Sequence, residues 1–161
     1  MKHLLMKGRA AAIASVAILC AAASLAAGVA RAETTTDLRA GVFMDENAVG
    51  FGAGVLTPMG SETRWYFNPN LEFGVGDHEN IVTMNGDFHY DLPQRSRVSV
   101  WMGAGPAVVV QDPDEGSSRT DLGLNVLTGV GGTSGSVRPY AQLKGVLADQ
   151  GQVVLQGGIR F

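Results

Sequence analysis

The sequence has almost no cysteine, little charge and, beyond its first 32 residues, no long apolar run. Cys20 is the single cysteine among 161 residues and histidines number three, so a disulfide framework and a structural zinc site are both excluded. Charged residues make up 17% of the chain, below the roughly 25% usual for soluble domains, which excludes a highly charged disordered chain. The net charge of −3 comes with no basic cluster, which argues against a nucleic-acid partner. After residue 32 no segment carries a convincing 3.6-residue period, and no span of about 20 apolar residues remains. Glycine is what the chain has in quantity. Its 22 glycines follow no G-X-Y period and imply turns, bulges or close backbone approach.

The first 32 residues read as an export signal. Lys2, Lys7 and Arg9 give a positive start, an alanine-rich apolar run follows from Ala10 to Ala30, and Ala30-Arg31-Ala32 supplies the small-x-small cleavage pattern. Cleavage there makes Glu33 the first residue of the exported chain and divides the sequence into a signal peptide, 1–32, and one domain, 33–161. An uncleaved anchor is disfavoured because no positive stop-transfer cluster follows, and a lipoprotein because Leu19 is too large for a lipidation site. Cleavage removes four basic residues and no acids, which takes the net charge from −3 to −7 and leaves Lys144 as the only lysine. A domain of this size without disulfides needs a core, lipid or a closed hydrogen-bonded sheet to hold it.

The remaining sequence alternates with period two, the signature of strands. From Arg64 to Gly76 one phase reads Trp65, Phe67, Pro69, Leu71, Phe73, Val75 and the other Arg64, Tyr66, Asn68, Asn70, Glu72, Gly74. The same pattern predicts strands at about 37–45, 48–57, 64–76, 80–91, 97–110, 120–131, 137–147 and 151–161, separated by turn residues such as Asp45-Glu46-Asn47 and Asp112-Pro113-Asp114-Glu115-Gly116. Pro69, Pro106 and Pro139 fall inside strands and are expected at bulges or strand starts. Eight successive strands with short connections form a meander, and closing it removes both exposed edges.

Period two does not say which face is wet; three features assign the apolar phase to lipid. The polar phase is rich in small and amide residues, Gly50, Gly52, Gly54, Asn68, Asn70, Asn85, Asn125, Gln142 and Gln156, which suit a narrow lumen better than a solvated exterior. Its charged members, among them Arg39, Glu72, Asp87, His89, Arg97, Arg138, Lys144 and Arg160, are expected to form a polar network across that lumen. Aromatics on the apolar phase sort to two ends in an up-and-down order: Trp65, Phe67, Phe88, Tyr90 and Phe161 toward one rim, Phe51 and Phe73 toward the other, as interfacial girdles would. The segments are also long enough for tilted strands to cross a bilayer.

The last residues, Gly157-Gly158-Ile159-Arg160-Phe161, end on an aromatic in the lipid phase and resemble the C-terminal strand of bacterial outer-membrane barrels. Met102-Gly103-Ala104-Gly105-Pro106, Leu122-Gly123-Leu124-Asn125-Val126 and Arg138-Pro139-Tyr140-Ala141-Gln142-Leu143-Lys144 resemble later strands of the small OmpA/OmpX-like barrel-domain family. The resemblance implies an outer-membrane location and makes Ile159 and Phe161 the signal read by the barrel-assembly machinery. It carries no activity. The expected surface loops are short, whereas receptor or adhesin members of such families often have long ones.

Candidates for chemistry are few. Asp87, His89 and Asp91 share a strand face with Ser99 on a neighbouring strand, the residue types of a nucleophilic hydrolase, but their phase points them into a narrow lumen. An interior cluster in which Arg97 pairs with the acids is the preferred reading. Asp45, Glu46, Asp77, Glu79, Asp112, Asp114, Glu115 and Asp149 place eight of the fifteen acids at one rim, without the spacing of an EF-hand loop. Gly50, Gly52 and Gly54 precede no helix, so they form no nucleotide loop and are expected to clear room for Tyr66, Trp101 or Tyr140.

The sequence therefore predicts an all-β protein: a cleaved signal peptide followed by an eight-stranded antiparallel up-and-down transmembrane β-barrel with no open pore, enzymatic activity, cofactor or metal. The expected partners are outer-membrane lipid or lipopolysaccharide and, during biogenesis, the assembly machinery; a monomer is expected. A soluble periplasmic lipocalin-like binder and an outer-membrane lipid-modifying hydrolase are the competing readings.

Overall fold

The computed structural model describes residues 34–61, 63–77, 79–93, 97–113 and 117–161. Ala30 and Ala32 of the expected signal peptide, the expected new terminus Glu33, and the loop acids Asp114 and Glu115 lie outside the described residues. Eight strands follow one another: β1 (Thr35–Phe43), β2 (Ala48–Pro58), β3 (Trp65–Val75), β4 (Glu79–Asp91), β5 (Val98–Pro113), β6 (Arg119–Gly132), β7 (Arg138–Leu147) and β8 (Gln152–Arg160). Each pairs antiparallel with its sequence neighbours, and β1 pairs with β8 from Asp37↔Arg160 to Phe43↔Val154. The sheet is thus a closed barrel with no free edge among the described residues.

Alternation in the sequence becomes alternation of burial. Along β8 the pattern from Gln152 to Leu155 is buried, exposed, buried, exposed, and β1 behaves likewise. Each strand end falls within a few residues of its expected place; the largest difference lies in β5, which runs on through Gln111, Asp112 and Pro113 where a loop was expected. Those three residues continue the ladder with Ile81, Asn80 and Glu79, so the neighbouring strand overrides local turn chemistry.

The prolines behave in two ways. Pro139 is the second residue of β7, as expected. Pro69 and Pro106 interrupt a ladder without forming a bulge: Gly54 faces Asn70 and Thr57 faces Phe67, so pairing resumes in the same register. Proline has no N–H to give, and the carbonyl of Val55, which stands opposite Pro69, is taken instead by the Asn68 side-chain amide at 3.0 Å. Near Pro106 the chains close up, so that a Cβ on Gly105 would fall 2.1 Å from the carbonyl oxygen of Gly86.

The lumen glycines clear space, but for other residues than expected. Gly50 accommodates Phe43, whereas Trp101 occupies the volume opened by Gly129 and Gly131, and Tyr140 that opened by Gly158 and Gly131. Gly52 and Gly54 face Glu72, Asn70 and Asn68. The alternation assigns each residue to a face but does not say which side chain of a neighbouring strand leans over which glycine.

Gly105→Ala should destabilise the folded barrel by about 1–3 kcal/mol, since the backbone must move to admit a methyl group. Gly145→Ala, whose Cβ would have nothing nearer than the Val126 carbonyl at 3.9 Å, should change stability by less than about 0.5 kcal/mol. Urea unfolding of the two variants in detergent micelles checks the contrast.

Candidate functional site

The densest chemistry lies inside the barrel. Glu72, from the middle of β3, is its hub: Oε2 accepts from the Lys144 ammonium of β7 and from Thr83 Oγ1 at 3.2 Å. Its Oε1 accepts from Gln156 Nε2 at 2.7 Å and Arg39 Nη1 at 3.2 Å. Arg39 also donates through Nη2 to Asp37 Oδ2 and Asn68 Oδ1, both at 2.8 Å, and the Tyr140 hydroxyl donates to Asp37 Oδ1 at 2.6 Å. Lys144 and Asp37 are wholly buried.

A second layer is built of amides around Asp87. Asn70 and Asn125 donate to its two oxygens at 2.9 and 2.7 Å, and Asn85 links Asn70 to Thr83. Buried charge of this kind is tolerated only when it is paired and its lone pairs are occupied. Three lumen carboxylates, Asp37, Glu72 and Asp87, are matched by three cations, Arg39, Lys144 and Arg160.

Toward the end that carries both termini the lumen turns aromatic. The Trp101 indole donates to Gln142 Oε1 at 3.2 Å, stacks on His89 at 6.2 Å and meets Tyr140 edge-on at 5.8 Å. Arg160 lies over both aromatic rings, 4.3 Å from Trp101 and 4.5 Å from Tyr140. At the opposite end the lumen is filled by the apolar cluster of Phe43, Ala48, Ile81, Ala107, Val109, Val146 and Val154.

Of the charged residues expected in the network, Arg39, Glu72, Asp87 and Lys144 meet at its centre, and His89, Arg138 and Arg160 lie nearer the terminal mouth. Arg97 does not join them. It precedes β5, is exposed at the rim and forms no salt bridge with Asp87, Asp91 or any other acid among the described residues; its carbonyl accepts from the Thr133 amide. Asp37 was missed, although it sits two residues from Arg39 and so shares its face; Tyr140, expected in the lumen, joins the network through it. The hydrolase arrangement does not form: Ser99 Oγ donates to Asp91 Oδ2 at 2.9 Å, while His89 is buried with Nε2 bonded to no protein group.

The outside of the barrel is apolar. Leu122 is 81% exposed and Val49 65%, and Leu124, Val126, Leu143, Val153, Leu155 and Ile159 also face outward. The seven expected lipid-facing aromatics all point out, but as patches rather than rings. Trp65 pairs with Tyr90 and Phe67 with Phe88, both at 5.0 Å, near the terminal end, and Phe51 meets Phe73 at 6.1 Å farther along. Six of the seven lie on β2, β3 and β4; Phe161 follows β8, and the rest of the circumference is aliphatic. A surface of this kind is costly in water and natural in a bilayer, while the interior is ionic where a lipocalin-like cavity would be apolar, and filled except at its terminal mouth. The soluble-barrel alternative fails on both faces.

The acidic rim is a set of tied turns. Asp45 accepts from the Val153 amide at 2.7 Å, Glu46 from Gln152 at 3.0 Å, and Asp112 from Ser118 at 2.6 Å. Partial burial, reinforced by nearby Asp45 and Glu79, raises the Glu46 carboxyl above its ordinary pKa. No group of three His, Cys, Asp or Glu side chains able to hold a metal occurs among the described residues.

Glu72→Gln leaves the Lys144 ammonium buried with no carboxylate on it and should cost about 3–5 kcal/mol in urea unfolding. Lys144→Gln added to that variant should recover part of the loss, with a coupling above about 1 kcal/mol in a double-mutant cycle. Simple additivity would show that the pair is not coupled.

No protein-family model and no curated protein sequence matches the chain. Solved structures do. The N-terminal β-barrel domain of Pseudomonas aeruginosa OprF superposes with a TM-score of 0.68 at 12% identity, over 80% of this chain and 95% of that one. Neisserial surface protein A (NspA) gives 0.63 at 17% identity, over 79% and 94%. The outer membrane enzyme PagL gives 0.51 at 13% identity, over 79% and 98%. At such identities the likeness is one of fold, and it agrees with the polarity of the two faces: the chain is an eight-stranded barrel of the outer-membrane type.

Proposed function

We propose that the protein is an integral, non-enzymatic component of the bacterial outer membrane, with both termini in the periplasm and a structural or envelope-contact role. The observation that carries this reading is the reversed polarity of the barrel, apolar on its outer face and ionic within. Closure of the lumen supports a role without conduction. Solvent does not reach Lys144, Asn68, Asn125 or Thr83, so no water-filled path runs along the axis.

Short turns support a shallow contact surface rather than a deep receptor site, and their carboxylates would meet lipopolysaccharide phosphates through bridging divalent cations. Asp45, Glu46, Glu79 and Asp112 lie at the end away from the termini, the outward one in this orientation, beside the membrane-facing band. Ile159 and Phe161, both exposed at the end of the closing strand, fit a C-terminal assembly signal. The pairing of Ser99 with Asp91, and the burial of His89 beneath Trp101, speak against the hydrolase reading.

The protein should sediment with outer membranes, and its unheated form should migrate differently from its boiled form on a gel. Protease treatment of intact cells should cut, if anywhere, at the acidic turns, leaving both termini protected. Recovery of the exported chain as a soluble periplasmic protein would overturn the proposal.

A further inference from the structure

The lumen is blind at one end and open at the other. Below the apolar cluster and the Glu72 network, at the end carrying the termini, it widens into a cup of about 620 Å3. That volume is in the range of small-molecule sites. Because the layers above are closed to solvent, the cup fills only from the terminal side, which faces the periplasm in the orientation proposed above.

Its lining takes Arg138 from β7, Arg160 from β8, Asp91 from β4, Ser99 and Trp101 from β5, and Tyr66 from β3. The two arginines differ from the other lumen cations in what they hold. Arg39 donates to Asp37, Glu72 and Asn68, and Lys144 to Glu72. Arg138 has one side-chain hydrogen bond, Nη2 to Thr35 Oγ1 at 2.8 Å, and its buried Nε has no protein partner. Arg160 has buried Nε and Nη2 atoms without a hydrogen-bond partner. Its Nε is ion-paired at 3.8 Å with Asp37, a carboxylate whose hydrogen bonds go to Arg39 and Tyr140, which leaves Nη2 without a polar partner. The faces of Trp101 and Tyr140 fix the Arg160 guanidinium in position without using its N–H donors.

A guanidinium fork with free donors matches a planar carboxylate. Asp91 is the one carboxylate among the described lining residues, and Ser99 bonds one of its oxygens. Among the described lining residues the two arginines exceed the one aspartate by a single charge, which Asp37, 3.8 Å from Arg160, offsets, so the site suits a ligand of no net charge. A dianionic phosphate would meet the Asp91 charge, whereas an ammonium would be drawn to it. We propose that the cup binds a small zwitterion of the amino-acid or short-peptide class, with its carboxylate on Arg138 and Arg160 and its ammonium at Asp91.

The test uses the barrel purified from membranes in detergent, carrying Trp65→Phe so that Trp101 in the cup is the sole tryptophan. Alanyl-alanine at millimolar concentration should change Trp101 emission saturably, and its C-terminal amide should not. Arg138→Gln and Arg160→Gln should each weaken binding about tenfold or more. Arg119→Gln, at the opposite end, should leave binding unchanged. The gel-mobility shift of unheated protein reports whether each variant is folded; Arg138→Gln carries the test if Arg160→Gln does not fold. Absence of a saturable response in the parent, or an equal response to the amide, would overturn the proposal. Inorganic phosphate binding as tightly as the dipeptide would overturn the zwitterion assignment.

Discussion

Closing eight strands creates an interior too narrow for bulk water, and at its centre stand Glu72 and the Lys144 ammonium, both buried. Each would be prohibitively costly alone. Together, with Arg39, Gln156 and Thr83 occupying the remaining positions around the carboxylate, they are satisfied. The contact joins β3 to β7 across the lumen, 72 residues apart in sequence. It forms only when the barrel is closed in its proper register, because a slip of one residue in a strand would turn that strand's lumen charges toward lipid. Register, closure and pairing therefore depend on one another.

The same constraint explains the composition. Side chains on the outside meet hydrocarbon and carry no charge, which concentrates the few charged residues in the lumen and at the rims. A narrow interior has room for Trp101, Tyr140 and Phe43 only where a facing strand offers glycine, as at Gly129, Gly158 and Gly50. The two rims differ in chemistry as well as position. Carboxylates at one end tie the turns, while at the other end arginines and aromatics line an open cup.

The period-two pattern made most of the fold legible in the sequence. In β3, Trp65, Phe67 and Phe73 alternate with Asn68, Asn70 and Glu72, and that alternation alone assigns each residue to a face. Faces are local properties; contacts between distant strands are not. Hence Arg39 and Lys144 were recognisable as lumen residues, yet nothing in the chain shows that both converge on Glu72. Arg97 was misplaced because its strand begins one residue later, at Val98, which leaves it outside the ladder. Pro69 was placed correctly in a strand but expected at a bulge or strand start, since the rescue of the Val55 carbonyl by Asn68 is a three-dimensional solution. The Arg160 and Trp101 contact in the cup had no sequence signal beyond shared phase.

The central claim is that the apolar phase meets lipid and the polar phase lines the lumen. The chain's two tryptophans lie on opposite sides of that wall: Trp65 is half exposed on the outer surface and Trp101 is buried within. Tryptophan quenching by brominated lipids in reconstituted bilayers, measured on Trp101→Phe and Trp65→Phe variants, separates the two. Strong quenching of Trp65 with little quenching of Trp101 is the expected result. Equal quenching of both, or quenching of Trp101 alone, would contradict the account.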